Sequence, residues 1–150
     1  MKKSLFLLIL ALSAACTTKT MQSGLSPING TWKLLTGTLI EKGDTMVTDY
    51  TKNVSFIKII NDDHFAFLQH DLNHGQDSTT SVFVAGGGAY TLKDSIYTEF
   101  LEYCNDRAWE GHDFSFTVSV KNDTLTQKGL EVIEDQGVNR LNIEVYKRIK

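Results

Sequence analysis

Apolar and polar residues alternate with a period of two along most of the chain from Asn29 onward. The alternation is clearest in DFSFTVSV, where Phe114, Phe116 and Val118 fall on one face while serine and threonine fall on the other. A period of two places successive side chains on opposite sides of a strand, whereas a helix repeats about every 3.6 residues. The pattern therefore predicts β-strands, and helical periodicity is hard to find.

Short polar turns such as KGD, NDD, KDS and KND separate roughly nine or ten such segments. Turn signals every ~8–12 residues are typical of a sandwich or an up-and-down barrel. Tight connections favour antiparallel neighbours joined by hairpins, and the chain ends on a strand that could pair with the first. We predict an all-β fold over residues 29–150, an antiparallel up-and-down β-barrel of about 8–10 strands.

The first fifteen residues have a different character. Two lysines follow Met1, the apolar run SLFLLILAL comes next, and the small residues SAA follow it. This layout is typical of a secretory signal peptide, and the apolar run is shorter than the ~20 residues that span a bilayer. Residues 1–15 are therefore predicted to be a signal peptide.

Cys16 follows this leader in the sequence SAAC. The arrangement is similar to a bacterial lipobox, in which the cysteine becomes the lipidated first residue, although Ser13 stands where leucine is usual. An ordinary signal peptidase could also cut after Ala15. Residues 16–28 are small and polar, so we predict a lipidated Cys16 on a flexible tether. The expected location is the cell envelope, with acyl groups on Cys16 contacting the membrane, or alternatively the secreted fraction.

Charge and cysteine content narrow the function classes. Without residues 1–15 the chain carries 13 basic and 18 acidic residues. This mild acidity argues against nucleic acid as a partner, because phosphate binding needs a basic face. If Cys16 is acylated, Cys104 has no disulfide partner and is expected to be a small apolar core residue.

The first strand begins with NGTWKL, in which Gly30 precedes Trp32 by two residues. This motif, together with FVAGGGAYTL, YTEFLEYCNDRAWEG and RLNIEVYKRIK, resembles a family of lipocalin-like lipoproteins of Bacteroidetes-type bacteria, whose function is largely uncharacterised. The resemblance implies that Trp32 closes one end of the barrel and that Gly30 lets the chain bend into the strand. It also implies that an arginine of the last strand lies over the indole, with Arg148 the first candidate and Arg140 the second. A helix packed outside the barrel and a mid-chain Thr-Asp-Tyr motif, both lipocalin features, are missing.

The strand IYTEFLEYC offers the most interesting candidate chemistry. Strict alternation places Tyr97, Glu99 and Tyr103 on one face, where they could line a partly polar cavity for an amphipathic guest. In the alternative interpretation Glu99 points to solvent. The segment NVSFIKII is similarly ambiguous, because either Phe56 with Lys58 or Ile57 with Ile59 could face inward.

Trp109, in the loop NDRAWEG, completes the set of candidate ligand-binding residues. An exposed tryptophan at a barrel mouth would be a good recognition residue, whereas one that folds back would cap the barrel. The sequence leaves these two alternatives open.

Signals for catalysis, metals and cofactors are weak. His70 and His74 are four residues apart, but Gly75 and the lack of helical periodicity place them in a loop, so no metal site is predicted. The triple glycine of FVAGGGAYTL lacks the lysine of a P-loop and is expected to mark a bulge or sharp bend. No nucleophile lies beside a base, so we predict no catalytic residue and no cofactor.

These observations favour a non-catalytic envelope barrel that binds a small apolar or amphipathic molecule. One alternative is a structural or protein-interaction module with a filled barrel, in which Trp109 and the loop HDLNHGQD would be contact sites. A third interpretation, an enzyme, would need Glu99, a tyrosine and a histidine within hydrogen-bond reach.

Overall fold

The computed structural model describes residues 26–150. The predicted signal peptide, Cys16 and all but the last three residues of the predicted tether lie outside this part of the chain. Within residues 26–150, no helix combines the length and the apolar character needed to cross a bilayer.

Strands make up most of the described chain, and short 3-10 turns at Arg107–Trp109 and Glu134–Gln136 are its helical segments. Ten strands follow one another: β1 Gly30–Glu41, β2 Asp44–Asp49, β3 Val54–Ile60, β4 His64–Asp71, β5 Phe83–Lys93, β6 Ile96–Leu101, β7 Tyr103–Cys104, β8 His112–Lys121, β9 Thr124–Ile133 and β10 Val138–Arg148.

Eight of these strands form a closed antiparallel barrel in which each pairs with the next of the eight in chain order. The eight are β1, β3, β4, β5, β6, β8, β9 and β10. Strand β10 returns to pair with β1, from Trp32 opposite Arg148 to Ile40 opposite Leu141. The other edge of β1 pairs first with β3 and then, in its second half, with β2. Closure gives each of the eight barrel strands a partner on both sides, so the barrel itself has no edge strand to protect. The predicted all-β antiparallel barrel is confirmed.

A bulge separates β6 from β7. Strand β5 pairs with β6 at Tyr90 opposite Glu99, and with β7 at Gly87 opposite Tyr103. Between these pairs β5 advances by three residues and its partner by four, so one extra residue has been inserted. A one-residue shift moves every later side chain to the other face of the sheet. Tyr103 therefore lies outside the barrel and Cys104 turns inward.

Three consecutive glycines of β5 allow the close packing around this bulge. A Cβ atom at Gly88 would collide with the carbonyl oxygen of Phe100, and one at Gly87 would lie 2.5 Å from the carbonyl oxygen of Phe65. A Cβ at Gly86 would overlap the ring of Phe67. Only glycine permits such close approach of a backbone to its neighbours.

The interior differs between the two halves of the barrel. Near the end where β1 begins, the interior is apolar and filled; its buried side chains include Trp32, Leu34, Ile60, Phe65, Tyr90, Val118 and Leu125. Nearer the other end, buried charged and amide side chains join the apolar ones, namely Lys58, Glu99, Gln127, Glu131 and Asn142. The filled half stabilises the fold, and the polar half is where a site can form.

Candidate functional site

One end of the barrel is closed by the indole of Trp32. The ring is fully buried, and its Nε1 donates to the carbonyl oxygen of Ile28 at 2.7 Å. The guanidinium carbon of Arg148 lies 4.0 Å from the ring centroid, a cation–π contact. Arg148 also donates to the carbonyl oxygens of Asn29 and Pro27, so it fastens the segment before β1 across this end.

Gly30 makes this closure geometrically possible. Its φ of +136° is a conformation that L side chains rarely adopt, and a Cβ there would collide with the Arg148 guanidinium. The glycine two residues before the tryptophan is thus required both by the backbone and by the arginine that covers the indole.

The opposite half of the barrel contains a cavity of about 380 Å³. This volume lies within the ~300–1,000 Å³ range usual for small-molecule sites. Its apolar lining comprises Phe56, Phe67, Val84, Leu101, Cys104, Trp109, Phe114 and Phe116, and its polar lining comprises Lys58, Glu99, Asn105, Asp106, Gln127, Glu131, Arg140, Glu144 and Tyr146.

The cavity floor is a buried ion pair between strands that are distant in sequence. Lys58 of β3 donates to Glu99 of β6 at 2.5 Å and to the side-chain oxygen of Gln127 of β9 at 3.1 Å. Its ammonium group also lies within 6 Å of the ring centroids of Phe65 and Tyr97. A buried charge is tolerated only when it is paired and hydrogen-bonded, and both conditions hold here.

A second ion pair lies nearer the mouth. Arg140 of β10 donates through Nε to Glu131 of β9 at 2.7 Å, and Asn142 donates to the other carboxylate oxygen at 2.7 Å. The Arg140 guanidinium stacks against Trp109 at 5.2 Å from the ring centroid. Trp109 is half-buried, and its ring centroid lies 5.7 Å from that of Phe114. Trp109 thus folds back onto the barrel mouth and forms part of the cavity wall.

Glu144 is the third carboxylate of the interior. It accepts a hydrogen bond from the Tyr146 hydroxyl at 2.8 Å. Burial raises the pKa of the Glu144 carboxyl, an effect that nearby Lys58 and the Tyr146 hydrogen bond partly oppose. Burial also raises the pKa of Tyr146 well above its ordinary value, so this hydroxyl remains a donor at physiological pH.

The residues singled out from the sequence divide into three groups. Phe56, Lys58, Glu99 and Trp109 all line the cavity. Tyr97 faces the interior but lies outside the cavity lining, in the filled part of the barrel, and its fully buried hydroxyl has no hydrogen-bond partner within residues 26–150.

The prediction that Tyr103 faces the interior was wrong. This tyrosine was expected to share the face of Tyr97 and Glu99, but it is 67% exposed on the outside of the barrel because the bulge reverses the alternation. There it borders a wide, open groove of about 540 Å³ over the glycines of β5. The interior cavity is the better candidate site, since its walls are more enclosing and carry buried charges.

Arginine, histidine and metal-ligating side chains are placed as follows. Arg140, the second candidate to cover Trp32, contacts Trp109 instead. None of the chain's four histidines, all of which the structure describes, lines the cavity. Residues 26–150 contain no group of three His, Cys, Asp or Glu side chains placed to hold a metal ion.

Seven polar cavity residues were not assigned to a ligand site from the sequence: Asn105, Asp106, Gln127, Glu131, Arg140, Glu144 and Tyr146. A signal for two of them was available. In LTQKGLEVI, alternation places Gln127 and Glu131 on the same face as the apolar Leu125 and Ile133, and all four are buried. A polar residue at an inward position of an otherwise apolar face indicates a polar interior.

In comparisons with known proteins, no protein-family model and no curated protein matched the chain.

Proposed function

We propose that this protein is a non-catalytic binding barrel that holds a small apolar or amphipathic molecule in its interior cavity. The observation that carries the proposal is the cavity of about 380 Å³ with aromatic walls and a buried, hydrogen-bonded polar floor. A mostly apolar pocket with a few precisely placed polar groups is the usual form of a small-molecule site.

The same proposal includes attachment to a membrane of the cell envelope. The leader and Cys16 support a lipoprotein of the cell envelope, related to the lipocalin-like family that the sequence resembles. Metabolic labelling with a radioactive fatty acid should mark the wild-type protein and leave Cys16→Ala unmarked. Equal labelling of both proteins would contradict lipidation at this residue.

The two alternatives have less support. A structural module with a filled barrel does not account for an open cavity lined by charged side chains. An enzyme using Glu99 would need that carboxylate free to react, whereas Glu99 is buried against Lys58 and no histidine lines the cavity.

Blocking the cavity tests the binding proposal. Val84 lines the cavity wall, so Val84→Trp should fill part of the space. Thr117→Trp, at an exposed position of β8, adds the same side chain to the outer surface as a matched control. Native mass spectrometry of protein purified from its own host should show a co-purified small molecule on the wild type and on Thr117→Trp, and much less on Val84→Trp. A wild-type protein without bound mass, which also fails to bind amphipathic probes in calorimetry, would refute the proposal.

A further inference from the structure

Four carboxylates line the cavity, and those of Glu99 and Glu131 are paired with cations. Asp106 is exposed to solvent, which leaves Glu144 as the interior carboxylate without a directly paired cation. The Lys58–Glu99 pair and the Arg140–Glu131 pair each bring opposite charges into direct contact. Within residues 26–150, no basic side chain lies within 4.0 Å of the Glu144 carboxylate, whose hydrogen-bond donor is the neutral Tyr146 hydroxyl.

The charged groups near Glu144 do not lie directly opposite it on the two neighbouring strands. On the adjacent strands, Gly37 of β1 and Gln127 of β9 lie directly opposite it, and neither carries a charge. Across the barrel, Lys58 lowers the pKa of Glu144, while Glu99 and Glu131 raise it. Lys58, the cation that affects Glu144 within the described part of the chain, is therefore already paired with Glu99.

The Tyr146 hydroxyl donates to this carboxylate, and further aromatic rings are packed near Tyr146. Gly37 leaves room for the ring of Tyr50, whose Cε2 would lie 2.9 Å from a Cβ atom placed there. The Tyr50 ring contacts Phe56 at 5.8 Å between centroids, and Phe56 lies 6.1 Å from Phe67 and 6.4 Å from Tyr146. A carboxylate beside several aromatic faces is a favourable environment for an ammonium group, because the ring faces and the carboxylate are all negative.

We infer that the cavity selects a small protonated amine with an apolar body, whose ammonium group pairs with Glu144 while its hydrocarbon part lies against Phe56, Phe67 and Phe114. This inference rests on the proposed binding function and names its ligand class. A fatty acid or other anion fits poorly, because both cavity cations are already paired and the anion would face an uncompensated carboxylate.

Matched probes separate these possibilities. Octylamine, octanol and octanoate share a chain and differ in charge, as do 2-phenylethylamine, 2-phenylethanol and phenylacetate. In calorimetry at neutral pH, each amine should bind the wild type at least about tenfold more tightly than its alcohol, and each carboxylate should bind most weakly. An ion pair desolvated in a cavity is worth much more than one at the surface, which supports this magnitude.

Variants of Glu144 identify the group responsible. Glu144→Gln keeps an acceptor for the Tyr146 hydroxyl but removes the charge, so amine and alcohol should bind within about twofold of each other. Glu144→Asp keeps the charge and should retain part of the preference. Glu134→Gln removes one charge from an exposed position at the same end of the barrel and should leave the preference intact.

The outcomes distinguish the two proposals. If all probes bind equally and Val84→Trp abolishes their binding, the binding barrel stands and the amine inference is wrong. Tightest binding of the carboxylates, or an amine preference that survives in Glu144→Gln, would also overturn the inference. If no probe binds and no molecule co-purifies, both proposals fail together.

Discussion

At the scale of single residues, Gly30, Trp32 and Arg148 form one connected contact at the narrow end of the barrel. The indole fills the end, the guanidinium covers the indole, and the glycine leaves space for the guanidinium. Each residue of this group depends on the other two, so a substitution at any one should affect the entire closure.

Gly30→Ala should lower the free energy of unfolding by about 1–3 kcal/mol, because alanine rarely adopts the φ of +136° and the tip of the Arg148 side chain would have to move away from the new Cβ. Urea denaturation followed by circular dichroism would measure the loss. Gly43→Ala is a matched control, since Gly43 also has a positive φ but a Cβ there would meet nothing within 4 Å. Equal losses for the two variants would show that the Arg148 contact is unimportant.

The buried pair Lys58–Glu99 gives a second prediction at this scale. Lys58→Met should cost roughly 3–5 kcal/mol of stability, because it leaves the Glu99 carboxylate buried and uncompensated. The double variant Lys58→Met with Glu99→Met should recover much of that loss, as measured in a double-mutant cycle.

An exposed pair is the control for this cycle. Lys52 lies 3.0 Å from Asp49 at the surface, so Lys52→Met should cost less than about 1 kcal/mol. A small effect of Lys58→Met, similar to that of Lys52→Met, would mean that water reaches the floor of the cavity and screens the pair.

At the scale of strands, the bulge between β6 and β7 determines which side chains reach the cavity. It turns Cys104 inward and Tyr103 outward, opposite to strict alternation. The triple glycine that indicated a bulge or sharp bend in the sequence lies directly opposite this irregularity. The sequence thus predicted a bulge or sharp bend at this strand pair, but it did not indicate that the extra residue would lie in the partner strand.

Gly88→Ala tests this arrangement. The added Cβ would collide with the Phe100 carbonyl oxygen, so we expect a loss of more than about 2 kcal/mol in the free energy of unfolding. Thr91→Ala, at an exposed position of the same strand, should cost much less. Thermal unfolding of both variants measures this difference in stability. Comparable unfolding midpoints would contradict close packing at the bulge.

At the scale of the whole molecule, the pH dependence of stability shows how strongly the barrel interior shields Glu144 from water. Burial raises the pKa of Glu144 above its ordinary value of 4.5, so the folded protein keeps this proton to higher pH than the unfolded chain does. The stability that the proton provides is present below the unfolded pKa and is lost as pH rises through the folded pKa.

Glu144→Gln is neutral at every pH and avoids this loss. The free energy of unfolding of Glu144→Gln minus that of the wild type should therefore increase as pH rises from about 4 to about 8. Denaturation in urea at several pH values measures this difference, and other titrating groups largely cancel in it. A difference that stays constant or falls with pH would show that the Glu144 carboxyl is well solvated.

Features that depend on local regularity could be predicted from the sequence. Alternation with a period of two predicted the strands, short turns predicted antiparallel neighbours, and Gly30 with Trp32 marked the start of the barrel. These features are visible in one dimension because each depends on residues that are close together in the chain.

Whether the barrel is hollow, and which charges meet inside it, depends on the folded arrangement of the strands. Lys58 and Glu99 are 41 residues apart, and their contact depends on the barrel bringing opposite walls within reach. The same closure leaves Glu144 without a paired cation among residues 26–150 and encloses a cavity of about 380 Å³ between the side chains. Strand tilt, side-chain volume and one inserted residue in a single strand set these distances, and none of them follows from the period of the sequence pattern.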